Sequence, residues 1–117
     1  MRRLPDAEFD IMNEVWRMEP PITTHMLMET IGAERNWKAP SLITLMNRLI
    51  ERGFLRSEKA GKERQYYPLM EKEDYLRFET QYFLSRVHGG SVEGFLEALG
   101  ENADWDAIRA WLEKQAD

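Results

Sequence analysis

Pro40-Ser41-Leu42-Ile43-Thr44-Leu45-Met46-Asn47-Arg48-Leu49-Ile50-Glu51-Arg52-Gly53 is the stretch on which the reading of this 117-residue chain turns. Leu42, Leu45, Met46 and Leu49 recur at i, i+3, i+4 and i+7, the spacing of one buried face on an α-helix. Pro40 suits the first turn, where its missing N–H is no loss, and Gly53 supplies a stop just past the end. The opposite face then presents Ser41, Ile43 or Thr44, Asn47, Arg48 and Glu51. The pattern predicts a helix with a hidden apolar stripe and a chemically varied outer side.

Upstream, residues 5–17 read as a helix opened by Pro5, with Asp6 and Glu8 at the positive end of its dipole and Phe9, Met12, Val15 and Trp16 as its apolar stripe. Pro20-Pro21 stops it. A second helix fits residues 24–31, capped by Thr23 and closed by Gly32 as a left-handed residue, with Leu27, Met28 and Ile31 facing inward. Downstream, residues 54–57 and 64–67 are strand-like and flank a charged loop with Gly61 at the turn; Pro68 closes the second strand. A long helix over residues 72–87, the break Gly89-Gly90, and short helices over 92–99 and 104–114 complete the chain. There is no internal repeat or low-complexity tract.

Helix, helix, helix, hairpin is the order of a winged helix. The expected fold is mainly α with a small β-hairpin wing: a winged helix-turn-helix over residues 1–70, followed by a helical dimerisation part over residues 71–117. The third helix is of a size and polarity that the DNA major groove admits. Asn47 suits adenine, Arg48 guanine or phosphate, and an outward Ile43 a thymine methyl, while Ser41 and Thr44 offer hydroxyls. Lys59, Lys62 and Arg64 on the wing would neutralise phosphates and position the domain without reading sequence. Each residue also has an ordinary reading: solvated helix positions for Ser41, Thr44 and Asn47, ion pairs from Arg48 or Arg52 to Glu51, a merely soluble turn for the wing, and a core position for Ile43 if the helix phase is one residue off.

The formal net charge is −5, yet its distribution is uneven. Residues 1–70 carry 11 basic and 10 acidic side chains, and residues 71–117 carry 5 and 11. Within residues 35–67 the count is 8 basic against 3 acidic, the local electrostatic footprint of phosphate contact. The acidic second half suits a part held away from phosphate.

That second half contains Tyr75, Phe78, Tyr82 and Phe83 along its first helix, then Phe95, Leu96 and Leu99. Its last helix adds Trp105, Ile108, Trp111 and Leu112. So small a unit cannot bury so many large side chains alone. Pairing with a second copy would cover them and set two recognition helices on one near-palindromic site. The alternative is that these side chains pack back on the winged helix.

Other classes of function find little support. No apolar run approaches the roughly 18 residues of a membrane span, and residues 1–6 lack the apolar stretch of a secretion signal, so a cytoplasmic location and no membrane partner are expected. With no cysteine, disulfides and thiolate metal sites are excluded. His25 and His88, the two histidines, read as surface or boundary residues, so no metal, cofactor or catalytic set is expected and the chain is not read as an enzyme. The competing reading is a protein-interaction module that uses the winged helix as a scaffold without DNA.

Several residues go beyond a generic winged helix: Asp6-Ala7-Glu8, Met12, Val15-Trp16, Trp37, Thr44-Leu45, Arg48-Leu49, Gly53-Phe54-Leu55, Gln65-Tyr66-Tyr67 and Gly89-Gly90. Through them the chain resembles, over almost its whole length, the penicillinase repressor (BlaI/MecI) family, to which copper-responsive CopY-type repressors belong. The resemblance implies a dimeric repressor of antibiotic- or metal-resistance genes, with an N-terminal winged helix and a C-terminal dimerisation part. In the penicillinase branch it also implies a membrane sensor protease and cleavage of the repressor. The chain departs from the family pattern at the start of the recognition helix, where Pro40 and Ile43 replace Lys and Arg, and at the scissile Asn-Phe, which falls near Glu97-Ala98. Cleavage there is not expected, nor is copper sensing, which uses C-terminal cysteines. The inducing signal, sensor protease or small molecule, stays open.

Overall fold

The computed structural model describes residues 1–116, so the last residue of the expected second part, Asp117, lies outside it. Its elements are α1 (Asp6–Val15), β1 (Ile22–Thr23), α2 (Thr24–Leu27), a π-helical turn (Met28–Gly32), α3 (Ala33–Arg35), α4 (Ala39–Glu51), β2 (Leu55–Ala60), β3 (Glu63–Pro68), α5 (Lys72–His88), α6 (Val92–Leu99), a 3₁₀ turn (Gly100–Asn102) and α7 (Trp105–Ala116). The chain forms two compact units that divide inside α5, between Glu79 and Thr80, rather than at residue 70.

The first unit is the winged helix. Ile11, Met12 and Val15 of α1, Leu27 and Ile31 of the second helical segment, and Leu42, Met46 and Leu49 of α4 meet in one core with Phe54, Leu55 and Tyr66 of the sheet. Burial of a large apolar side chain contributes about 1.5–3 kcal/mol, so α4 is held in its rotation by three such residues. Leu45, expected in the same stripe, is only half-buried. Phe9 and Trp16 pack against the core from α1, and the Trp16 indole N–H donates to the Met70 carbonyl at 3.0 Å.

Several local expectations shift. Pro5 precedes α1 rather than opening it: its backbone is extended (φ −59°, ψ 155°), and its carbonyl accepts from the Phe9 amide. Gly32 does not close the second helix. It stays right-handed (φ −61°) inside a continuous helical path, and Asn36 takes the left-handed position (φ 57°), which its short polar side chain tolerates. A Cβ at Gly32 would lie 2.9 Å from the Met28 sulfur, so that flexible side chain would have to shift to admit one. Glu8, read as a dipole partner, is buried and accepts from Arg52 Nε at 2.8 Å. Arg52 therefore ties α4 to α1 instead of pairing with Glu51.

The strands of the hairpin run longer than the sequence suggests, because Glu58 to Ala60 join β2 in register with β3 (Leu55↔Pro68 through Ala60↔Glu63). The connection is only Gly61-Lys62, with Gly61 at φ +65°, the left-handed value that a type II′ turn takes at its first central residue. The short strand β1, which sequence reading missed, pairs with β3 through Ile22↔Tyr66 and Thr23↔Gln65, giving the order β1-β3-β2. Thr23 both ends that strand and caps α2, its Oγ1 accepting from the Met26 amide at 3.2 Å.

Tyr75 corrects the expected division of labour. Expected among the dimerisation residues, it is instead 0% exposed in the first unit, ringed by Phe9, Trp16, Phe54 and Phe78 at centroid distances of 5.4–6.2 Å. Phe78 packs on the same core. The alternative in which the aromatic residues fold back on the winged helix thus holds for these two. The Leu4 amide donates to the Tyr75 phenol oxygen at 2.7 Å, and Glu79 is paired with Arg3 at 3.3 Å, so the N-terminal arm is tied to α5.

The second unit begins at Thr80. Ser91 caps α6 by accepting from the Gly94 amide at 2.9 Å, and the Asp104 carboxylate accepts from the Ala107 amide at 2.9 Å ahead of α7. His88, at the C-terminal boundary of α5, sits between Phe83 and Phe95, with centroids 5.4 and 5.6 Å away. Among its described residues none is buried.

Replacing Tyr75 with Phe is expected to destabilise the chain by about 1–3 kcal/mol, because a buried amide loses its acceptor. Burial pushes the Tyr75 phenol above its ordinary value of 10.0, against the Leu4 hydrogen bond and helped by the Glu79 charge. Folding therefore favours the protonated phenol: this stabilisation is complete below pH 10 and is lost as pH rises through the higher folded-state value. Urea midpoints should fall more steeply above pH 10 for the wild type than for Tyr75→Phe; parallel declines would show that the phenol ionises equally in both states.

Candidate nucleic-acid interface

The side of α4 turned away from the core carries the residues singled out from sequence. Ser41, Ile43, Thr44, Asn47 and Arg48 are all exposed, with Ile43 at 40%. The core position considered for Ile43 is therefore not the one it takes. Thr44 directs its hydroxyl back along the helix, donating to the Pro40 carbonyl at 3.0 Å. What it offers outward is its methyl group and the lone pairs of the oxygen. Among the described residues Arg48 makes no ion pair, so its guanidinium is uncommitted.

Ile43 and Asn47, one turn apart on α4, line one open cleft of about 670 Å³ with Lys62, Glu63 and Arg64 of the wing, Ser57 and Tyr66 of the sheet, and Thr23, Thr24 and His25 at the start of α2. The fold thus brings together four of the expected residues: Ile43, Asn47, Lys62 and Arg64. Ser41, Thr44, Arg48 and Lys59 are exposed but do not line this cleft.

The wing concentrates positive charge in an uncomfortable way. Lys59 and Arg64 are direct cross-strand partners, a placement of like charges that costs stability unless an anion lies between or beside them. Arg64 is steadied by donating to Ser57 Oγ at 3.1 Å, and among the described residues Lys59 and Lys62 have no ion-pair partner. Arg56 of the same hairpin is used differently, paired with Glu58 at 2.6 Å and stacked 4.0 Å over the Tyr67 ring. Of the basic side chains in residues 35–67, Arg35, Arg52 and Arg56 are neutralised internally by Asp10, Glu8 and Glu58. Lys38, Arg48, Lys59, Lys62 and Arg64 are left for an outside anion.

The penicillinase repressor family matches residues 4–114. This chain belongs to that family. Its relatives include the methicillin resistance regulatory protein MecI of Mammaliicoccus sciuri, 29% identical over 101 residues that span 86% of this chain and 81% of MecI. The penicillinase repressor of Bacillus licheniformis is 27% identical over 105 residues, spanning 87% and 81% of the two chains. Among solved structures, the solution structure of the DNA binding domain of the repressor BlaI matches with a TM-score of 0.55 at 27% identity, covering 64% of this chain and 94% of that one. The family is one of repressors and not of enzymes.

For this family member the sequence missed Thr23, Thr24, His25, Ser57, Glu63 and Tyr66 as cleft residues. For those at the start of α2 the local sign is the Thr23 cap, which shows where α2 begins but not that β1 carries that start up against the wing. His25 is held by Glu29 at 2.8 Å, one turn along. Among the described residues no three His, Asp or Glu side chains gather as a metal site, and no helix is long and apolar enough to cross a membrane.

The expected dimerisation residues separate into two groups. Tyr82, Phe83, Leu99, Trp111 and Leu112 are exposed, Trp111 at 59%. Phe95, Leu96, Trp105 and Ile108 are half-buried within the second unit.

Gly61→Ala is expected to destabilise the chain by about 1–2 kcal/mol, because a Cβ disfavours the left-handed conformation of the hairpin turn. Gly61→Asn should recover part of the loss, since Asn visits that region more readily. Thermal melts of the two variants check this, and equal stability of Ala and wild type would mean that the turn is not held in that form.

Proposed function

We propose that this chain is a sequence-specific DNA-binding transcriptional repressor, acting as a homodimer on a near-palindromic operator of resistance or stress genes. The observation that carries the reading is the outer side of α4, where Asn47 and Arg48 stand exposed, with Asn47 facing a wing whose Lys59 and Lys62 have no ion-pair partner among the described residues. The likeness of the winged helix to the DNA binding domain of BlaI supports it, and the name of MecI, a methicillin resistance regulatory protein, supports the class of target gene.

In this mechanism α4 enters the major groove. Asn47 presents a donor and an acceptor that match adenine, and Arg48 reaches guanine or a phosphate. Ile43 and the Thr44 methyl give apolar contact to a thymine methyl. Ser41, at the first turn of α4, is placed for a phosphate. Lys59, Lys62 and Arg64 bring the wing onto the flanking backbone and relieve their mutual repulsion by doing so. Repression follows from occupancy of the operator, with no chemistry required.

The second unit supplies the dimer. A unit without one buried side chain among its described residues, and with Tyr82, Phe83, Leu99, Trp111 and Leu112 exposed, has apolar surface that a second copy would cover. Its net negative charge keeps it off the phosphates.

Asn47→Ala and Arg48→Ala are each expected to lower discrimination between the operator and a random duplex by about 1–3 kcal/mol. Lys62→Ala should weaken both duplexes alike and reduce the slope of log K against log salt by about one unit. Fluorescence anisotropy titrations over a range of salt distinguish these patterns, and full selectivity in the two α4 variants would refute the recognition role of α4. For the dimer, Trp111→Glu should raise the dissociation constant at least about tenfold in sedimentation equilibrium; since Trp111 is exposed, the fold of each chain should survive. A wild type that sediments as a monomer at all concentrations would refute the dimer.

A further inference from the structure

The outer side of α4 has two flanks, and the cleft beside the wing accounts for only one. Ile43 and Asn47, four residues apart, look toward the wing. Arg48 and Arg52, also four residues apart, look the other way. There they line a second groove of about 590 Å³ with Glu51 and with Met1 and Arg2 of the N-terminal arm. Arg52 is occupied by Glu8. Among the described residues Arg2 and Arg48 make no ion pair or side-chain hydrogen bond, so both guanidinium groups in the groove are available to an anion.

The arm is not a loose tail at this point. Leu4 is 3% exposed in the core and donates its amide to Tyr75, and Arg3 is paired with Glu79. Two consecutive anchors set the direction from which Arg2 arrives beside α4. A helix lying in a major groove has a phosphate strand on each side. With the wing and the start of α2 against one strand, the Arg2–Arg48 groove faces the other.

We propose that Arg2 is a DNA-binding residue that, next to Arg48, contacts the phosphate backbone on the side of α4 opposite the wing. The inference rests on the DNA-binding reading above and adds a second line of backbone contact to it. Because a phosphate carries no sequence information, Arg2 adds affinity and register for every sequence alike. It also makes the position of one backbone contact depend on the Leu4–Tyr75 anchor to α5.

The test uses the full chain and a 30-base-pair duplex selected by the wild type from a random-sequence pool, alongside an unselected duplex. Arg2→Ala should weaken both to a similar degree and lower the salt slope by about one unit. Arg17→Ala, on the far end of α1 and paired with Glu14, serves as the control and should leave the slope unchanged. As the chain has no cysteine, Arg2→Cys and Lys62→Cys each create a single attachment point for an iron–EDTA cleaving group. The two should cut on opposite flanks of one major groove. An unchanged salt slope in Arg2→Ala, or cutting from position 2 that coincides with cutting from position 62 or is absent, overturns the inference while DNA binding stands. A wild type that binds no duplex at low salt overturns the DNA reading itself, and the inference with it.

Discussion

Everything on the outer surface of the winged helix depends on the burial of Leu42, Met46 and Leu49 against α1 and the sheet. A helix can present only one face to a core, and these three side chains choose which. A rotation that exposed even one of them would forfeit on the order of 1.5–3 kcal/mol. The Glu8–Arg52 pair reinforces that choice, because a buried carboxylate without its partner is costly to keep charged. With α4 so fixed, Asn47 and Ile43 are committed to the wing side and Arg48 to the side of the N-terminal arm.

The electrostatics follow from which cations are already used. A net charge of −5 by itself opposes contact with phosphate, but three arginines in the basic segment are neutralised within the fold while five cations are not. The uncommitted ones lie on α4, just before it, and on the wing. Lys59 opposite Arg64 is a local conflict within the hairpin, and such a conflict is tolerable where an anion resolves it. The folded chain therefore separates structural arginines, which stitch elements together, from surface cations that await a partner.

Helix α5 serves two units with different kinds of stability. Its first turns complete the winged helix through Tyr75, which fills the space among Phe9, Trp16 and Phe54 and accepts the Leu4 amide. From Thr80 onward the chain has apolar side chains but no buried core of its own among the described residues. Helical hydrogen bonds and caps at Ser91 and Asp104 shape that part locally, and the apolar area left uncovered gives it reason to self-associate.

The order of elements, the inward stripe of α4, the outward residues and the charged hairpin were legible in the sequence, because each rests on local periodicity, on turn chemistry at Gly61, or on the cap at Thr23. The exposed site residues could be named for the same reason: a hidden stripe at i, i+3, i+4 and i+7 defines its own opposite face. What local rules could not supply were the partnerships between distant residues. Glu8 with Arg52, Tyr75 with Leu4, β1 beside β3, and Arg2 beside Arg48 join positions between 42 and 71 residues apart or separated by several elements. Only packing in three dimensions decides whether an aromatic side chain at position 75 fills the core of its own unit or stays available to another copy, since the helical period is the same in both cases.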